Sequence, residues 1–286
     1  MTAPLTTGVP AGVPSDAAVA DVPAGGQLHD ERKPLKDRRA LRAVARWALA
    51  AAVCGGLGAA TACGITAMHR TDVPGLATSD DGRWDFAALK LPALPSGAPR
   101  PFDEGNAGQI HSADARDLLL PAPAGAKADP KLSGGWVPDS RYVSEYGTES
   151  RADIAMALRD YDVRHVAARG WTMPDGTSTR IYLLTFESAA FAQAFKDNAG
   201  STGIDTGQSL VEADTSELDE SWDSRGAPKD VSMNVFAETR PYGATQARTA
   251  SVVAGDTFAF LIETRKGGAP AVPFHQTLVL QSQLLG

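Results

Sequence analysis

Between Glu212 and Asp223, six of twelve residues are carboxylates: Glu212, Asp214, Glu217, Asp219, Glu220 and Asp223. No basic residue follows before Arg225. Clustered carboxylate oxygens are the hard donors that a divalent cation selects. The run nevertheless lacks the Asp-x-Asp-x-Asp-Gly order and the distal bidentate glutamate that close a calcium loop. The expectation is a solvated acidic loop, with Asp214, Asp219, Glu220 and Asp223 as the residues that would meet a weakly held cation. Trp222 lies inside the same run and Trp171 precedes a turn. Either offers a flat surface to a ligand, although both are the type that packs at a core edge.

Nucleophilic chemistry needs a Ser, Thr or Cys beside a general base. Beyond residue 68, histidine occurs at His69, His111, His165 and His275, with no carboxylate or second histidine at ligand spacing along the chain. Each is expected in a solvated or hydrogen-bonded structural role. No Gly-x-Ser-x-Gly, His-Glu-x-x-His, Walker-type or dinucleotide glycine motif occurs. The sequence therefore assigns no catalytic residue, no cofactor and no cofactor-binding residue. Cys54 and Cys63 both lie in an uncharged stretch, so the later chain has neither a disulfide nor a thiolate site. From residue 69 onward, 20 Lys+Arg face 29 Asp+Glu, a net of −9. That balance argues against a nucleic-acid partner.

The elements that would position these groups fall into four regions of the 286-residue chain. Residues 1–46 read as a tail. Pro, Gly and Ala without aromatics predict disorder in its first thirty residues, and seven basic residues follow between Arg32 and Arg46. Residues 47–68 carry no charge and, as a helix of about 1.5 Å per residue, would cross a hydrocarbon core. Three fates are open: a retained anchor, a cleaved export signal after Ala60-Thr61-Ala62, or lipidation at Cys63 in a loose lipobox. The late start of the apolar stretch favours the anchor. All three place residues 69–286 outside the cytoplasm, because the basic residues precede the span. Gly56-x-x-x-Ala60 and Ala60-x-x-x-Gly64 would allow a weak homodimer through the span, although Ala and Gly are common throughout the sequence.

Residues 69–135 contain eight of the nineteen prolines and read as a semi-rigid stalk, with one short helix around Ser112–Leu119. Its Trp84, Phe86 and Phe102 are the groups that would pack back on a domain. Residues 136–286 hold fifteen of the nineteen aromatics and are the expected folded unit. Ser150-Arg-Ala-Asp153 resembles a capping box ahead of Ile154, Leu158 and Tyr161. Extended runs at 163–172 and 178–186 flank Pro174-Asp175-Gly176, and Phe191 and Phe195 then stack on a helix. The order recurs: runs at 247–253 and 257–262 flank Gly255-Asp256, before a helix with Pro273, Phe274, Leu278, Gln281 and Leu285. The fold predicted is α+β, a two-layer sandwich of two strand-turn-strand-helix units, with an antiparallel sheet and both helices on one face.

This arrangement of basic tail, single span, proline-rich stalk and hairpin–helix units resembles single-pass cell-envelope proteins of high-GC actinobacteria. The pattern over 150–286 is similar to their small lipoproteins and to the extracellular sensor domains of their receptor kinases. It departs from such sensors in having no disulfide. The resemblance implies a membrane-anchored binding, sensing or scaffold module of the cell envelope whose ligand or protein partner is undefined. The alternative is a hydrolase of the wall or of exported peptides, with a nucleophile assembled from scattered residues.

Overall fold

The computed structural model describes residues 35–67, 81–200, 209–211, 213 and 215–286. The expected disorder of residues 1–30, the position of His69 and the acidic residues Glu212 and Asp214 lie outside the described residues. The chain divides into two compact units, residues 1–77 and 78–286.

The first unit is helix α1, Leu35–Ala67. Its 26-residue stretch Arg39–Gly64 contains an 18-residue window with a mean hydropathy of 1.5 and is long and apolar enough to cross a membrane. Trp47, Leu49, Val53 and Leu57 are all exposed, which suits a helix surrounded by lipid. Thr61 and Thr66 donate their hydroxyls to the carbonyls of Leu57 and Ala62, one turn earlier, so neither leaves an unpaired polar group on the surface. The helix begins within the basic segment, twelve residues before Trp47.

The second unit is built on a seven-stranded, wholly antiparallel sheet. Its strands are β1 (Lys127–Val137), β2 (His165–Thr172), β3 (Ser178–Thr185), β4 (Glu217–Leu218), β5 (Ser232–Ala237), β6 (Thr245–Ala254) and β7 (Thr257–Lys266), in the order β1-β2-β3-β7-β6-β5-β4. The α+β sandwich, its antiparallel sheet and the two hairpin–helix units are as the sequence predicts. The β2–β3 hairpin closes where Asp175 Oδ1 accepts the Thr177 N–H at 2.9 Å and Gly176 takes φ +85°. In the β6–β7 hairpin Gly255 has φ +53°, and a Cβ there would stand 2.1 Å from the Gln109 carbonyl oxygen.

Strand periodicity sorts the side chains onto two faces. On the first, Tyr182, Leu184, Phe258, Phe260 and Ile262 pack beneath α2 (Asp139–Val143), α3 (Arg151–Asp160) and α4 (Ala189–Phe195). Phe195 meets Phe258 edge-on at 5.2 Å, whereas Phe191 is exposed. On the second face, Ile181, Leu183, Ala250, Val252 and Leu261 pack under Phe274, Leu278 and Leu285 of α5 (Ala271–Leu285). The helices following the two hairpins thus take opposite faces, not the single face expected. The reason is steric: α4 already covers β6 and β7 on the first face, so the chain leaving β7 finds its apolar surface on the other side. This placement also argues against a symmetric duplication. A two-fold axis exchanging the antiparallel β3 and β7 runs perpendicular to the sheet, and it would leave both helices on one face.

The segment 81–126, expected as a stalk, lies along the second face. Trp84, Phe86, Leu89 and Phe102 pack against the core there, and Leu118, Leu119 and Leu120 are buried in it. Proline-rich backbone makes few internal hydrogen bonds, so α5 supplies partners. Gln276 donates to the Trp84 carbonyl and accepts its N–H, at 2.9 and 2.8 Å. Gln281 likewise joins Leu118 O and Leu120 N, both at 2.9 Å. The short helix expected at 112–119 is a turn instead, with Asp117 and Leu118 N–H bonded to the Asp114 and Ala115 carbonyls. The expected capping box is not formed either. Ser150 stands at the start of α3 in a helical conformation with no side-chain cap bond, and its hydroxyl accepts the Ser209 N–H at 3.4 Å.

Candidate functional site

The described residues of the acidic run do not converge on one point. Asp219 Oδ2 accepts Arg248 Nη1 at 2.6 Å and faces His275 Nε2 at 2.8 Å, while Oδ1 accepts the Ser221 N–H and hydroxyl. Burial opposes the charge of Asp219, but Ser221, His275 and Arg248 outweigh it and hold the carboxyl below its usual range. Asp223 pairs with Arg225 at 2.5 Å, and that bond likewise depresses its pKa. Glu220 is exposed, and Asp214 lies outside the described residues. Among the described residues no three His, Cys, Asp or Glu side chains are grouped to hold a metal ion. Asp219 is therefore the anchor that ties the loop to β6 and α5. Trp222 lies edge-on to His275 at 5.1 Å, and Trp171 is buried in the core.

The fold gives two histidines carboxylate partners that the sequence order conceals. One is His275 with Asp219. The other is His111, whose Nδ1 lies 2.6 Å from Asp256 Oδ1 and whose Nε2 lies 2.9 Å from the Leu285 carbonyl. A hydrolytic triad needs the nucleophile and the carboxylate on different ring nitrogens. Here Thr257 Oγ1, at 3.3 Å, shares Nδ1 with Asp256, and the other nitrogen is held by the end of α5. Ser221 bonds to Asp219, not to His275. His111 thus works as a clamp joining the 81–126 segment, the β6–β7 turn and α5. His165 is exposed, with its ring 4.9 Å from that of Trp136.

A further site was not singled out in the sequence. It is a cleft of about 260 Å³ on the first face, lined by Asp129, Arg141, Ser144, Glu145, Ser178 and Arg180. Helix α2 carries Arg141 and ends beside Glu145, so the pair meets across one helical turn at 3.1 Å. Arg180 on β3 reaches Glu145 Oε2 at 3.0 Å, and the Tyr182 hydroxyl donates to Oε1 at 2.5 Å. Both arginine and tyrosine come from alternate positions of one strand, hence from one face. Burial, reinforced by the negative charge of Glu145, pushes the Tyr182 hydroxyl far up, which fixes it as a neutral donor. The Glu145 backbone carbonyl accepts the Val211 N–H at 3.0 Å, so residues 209–211 form part of the rim. Leu210, Val211 and Ile262 give the cleft an apolar wall. A carboxylate held by two guanidiniums and a phenol is a rigid, directional base for a binding site.

No protein-family model matches the chain, and no curated protein matches it in sequence.

Proposed function

We propose that the protein is a membrane-anchored, extracytoplasmic binding or sensing module of the cell envelope, with the Glu145 cleft as its ligand site. The observation that carries this reading is the cleft itself: charged groups from α2, β1 and β3 line a small cavity, and Arg141, Glu145 and Arg180 are braced against one another. The seven basic residues before the span support an N-terminus in the cytoplasm and residues 78–286 on the far side. The sequence pattern supports a place among the envelope proteins of actinobacteria. Two histidine–carboxylate pairs with, among the described residues, no nucleophile on the opposite ring nitrogen favour binding over hydrolysis.

The test is a thermal-shift screen of the full-length chain in lipid nanodiscs against small polar molecules, run in parallel on Arg141→Ala. A compound that stabilises the wild type and leaves the variant unmoved is the expected result. Labelling of a serine or threonine in residues 78–286 by a fluorophosphonate probe would overturn the reading in favour of a hydrolase. A reporter that works only outside the cytoplasm, fused after Gly286, should be active; silence there removes the extracytoplasmic assignment.

A further inference from the structure

We infer that the Glu145 cleft is shaped for a small zwitterion with an aliphatic side chain, a free amino acid. The inference rests on the binding-module reading and names its ligand class. Its starting point is a donor without an acceptor. Arg141 Nε is buried and has no hydrogen-bond partner among the described residues, although the same guanidinium bonds Glu145 through Nη2 and Ser144 through Nη1. Glu145 does not reach it: Oε1 meets Tyr182 and Arg141 Nη2, while Oε2 meets Arg180. Leaving a buried donor unpaired is costly, and because the Arg141 side chain is 30% exposed, a turn of the guanidinium can present Nε to an anionic oxygen entering the cleft and remove that cost.

A simple anion does not suit the remainder of the lining. Asp129, from the bulged part of β1, lines the same cavity and uses Oδ1 to accept the Lys131 N–H at 2.8 Å. Its carboxylate repels a bare anion and attracts an ammonium group, just as Arg141 and Arg180 repel a bare cation. A ligand bearing both charges satisfies both ends. The same lining includes Leu210, Val211 and Ile262, with Val211 exposed, and these favour an aliphatic substituent over a polar one. Volume sets the size of the part held. About 260 Å³ falls below the roughly 300–1,000 Å³ of pockets for drug-sized ligands, which suits an amino acid.

The experiment is isothermal titration of the full-length chain in nanodiscs with leucine, N-acetyl-leucine, which lacks the ammonium group, and leucinamide, which lacks the carboxylate. Leucine should bind saturably, with each analogue at least about tenfold weaker. Asp129→Asn should weaken leucine by a similar factor and tighten N-acetyl-leucine, whose lone negative charge it no longer repels. Arg141→Lys, which keeps the charge but loses the Nε–H, should weaken both leucine and N-acetyl-leucine. It also serves as the test should Arg141→Ala fail to fold. N-acetyl-leucine binding as tightly as leucine would overturn the zwitterion assignment and leave an anion site. No heat from any of the three, while another compound in the screen above stabilises the protein in an Arg141-dependent way, would sink the ligand class and spare the binding module. No Arg141-dependent ligand of any kind would sink both.

Discussion

Glu145 and Glu263 lie on opposite faces of one sheet and are 7% and 0% exposed, respectively. Glu145 is surrounded by donors, with Arg141, Arg180 and Tyr182 shared between its two oxygens. Glu263 has a single bond, from Thr179 Oγ1 at 3.2 Å, and its Oε1 has no partner among the described residues. Burial pushes its carboxyl up to about 8, a rise that the Thr179 hydroxyl and the charge of Arg248 only partly oppose. Depth alone therefore does not determine what a buried acid does. Where guanidiniums are brought to it, the acid organises a charged cleft; where apolar packing closes over it, the proton stays on. The 81–126 segment is part of that packing, and its Phe86 ring meets Trp171 edge-on at 6.3 Å, two strands away from Glu263.

The largest expected effect comes from removing that cover. A chain starting at Thr78 should unfold in one cooperative transition, because it retains both layers of side chains on the sheet. A chain starting at Gly134 loses Trp84, Phe86, Leu118–Leu120 and most of β1, and it bares the second face under α5. It should melt broadly and bind a hydrophobic dye. A melt as sharp as that of the longer chain would show that the second face needs no cover, and the contrast between the two faces would collapse.

Next in size is the charged side of the comparison. Glu145→Ala leaves Arg141 and Arg180 partly buried without their shared carboxylate, and it should cost about 4 kcal/mol in denaturant unfolding. Glu145→Gln keeps the shape and should cost less. A loss below about 1 kcal/mol for the alanine variant would mean that solvent already screens the cleft.

Smaller again is a pH effect confined to Glu263. Its carboxyl rises from 4.5 to about 8 on folding, so the folded chain holds a proton that the unfolded chain has lost. That contribution is complete below about pH 4.5, is lost as pH rises, and is gone above about pH 8. Between pH 6 and 8 the wild type should lose about 2 kcal/mol of stability, and Glu263→Gln, with no proton to give up, should lose markedly less. Equal slopes for the two proteins would assign the pH dependence to other groups.

Much of this architecture is readable in the residues. Ile181 to Leu184 are apolar on both sides and form part of the interior strand β3; Phe258, Phe260 and Ile262 share a face as their alternation demands. The uncharged stretch after Arg46 gives the membrane-length helix. What escapes reading is whatever depends on distant partners. Strand β1 contains Pro130, Gly134 and Gly135, buries only Leu132 among its apolar residues and carries irregular register, so it shows no alternation. The pairs His111–Asp256 and Glu145–Tyr182 are 145 and 37 residues apart in sequence. Glu145 beside two tyrosines has no local signature. The clearest signal for the cleft was Arg180, a charge inside an otherwise apolar strand, which asks for a buried counter-charge.

The smallest effect tests whether partners or packing govern each acid. Thr179→Val keeps the volume and removes the one hydroxyl that bonds Glu263, a bond that favours the charged form. The Glu263 carboxyl should then move further up, so that the loss of stability, which still begins near pH 4.5, continues to higher pH, while stability at pH 6 changes by less than about 1 kcal/mol. Tyr182→Phe is the matching change at Glu145. It removes a donor from an acid that depends on its donors, and it should cost about 1.5–3 kcal/mol at any pH where the tyrosine is neutral. Unfolding curves for both variants at pH 6 and pH 8 separate the cases. If Thr179→Val costs as much as Tyr182→Phe, Glu263 leans on its hydrogen bond as Glu145 does, and packing is not what keeps its proton in place.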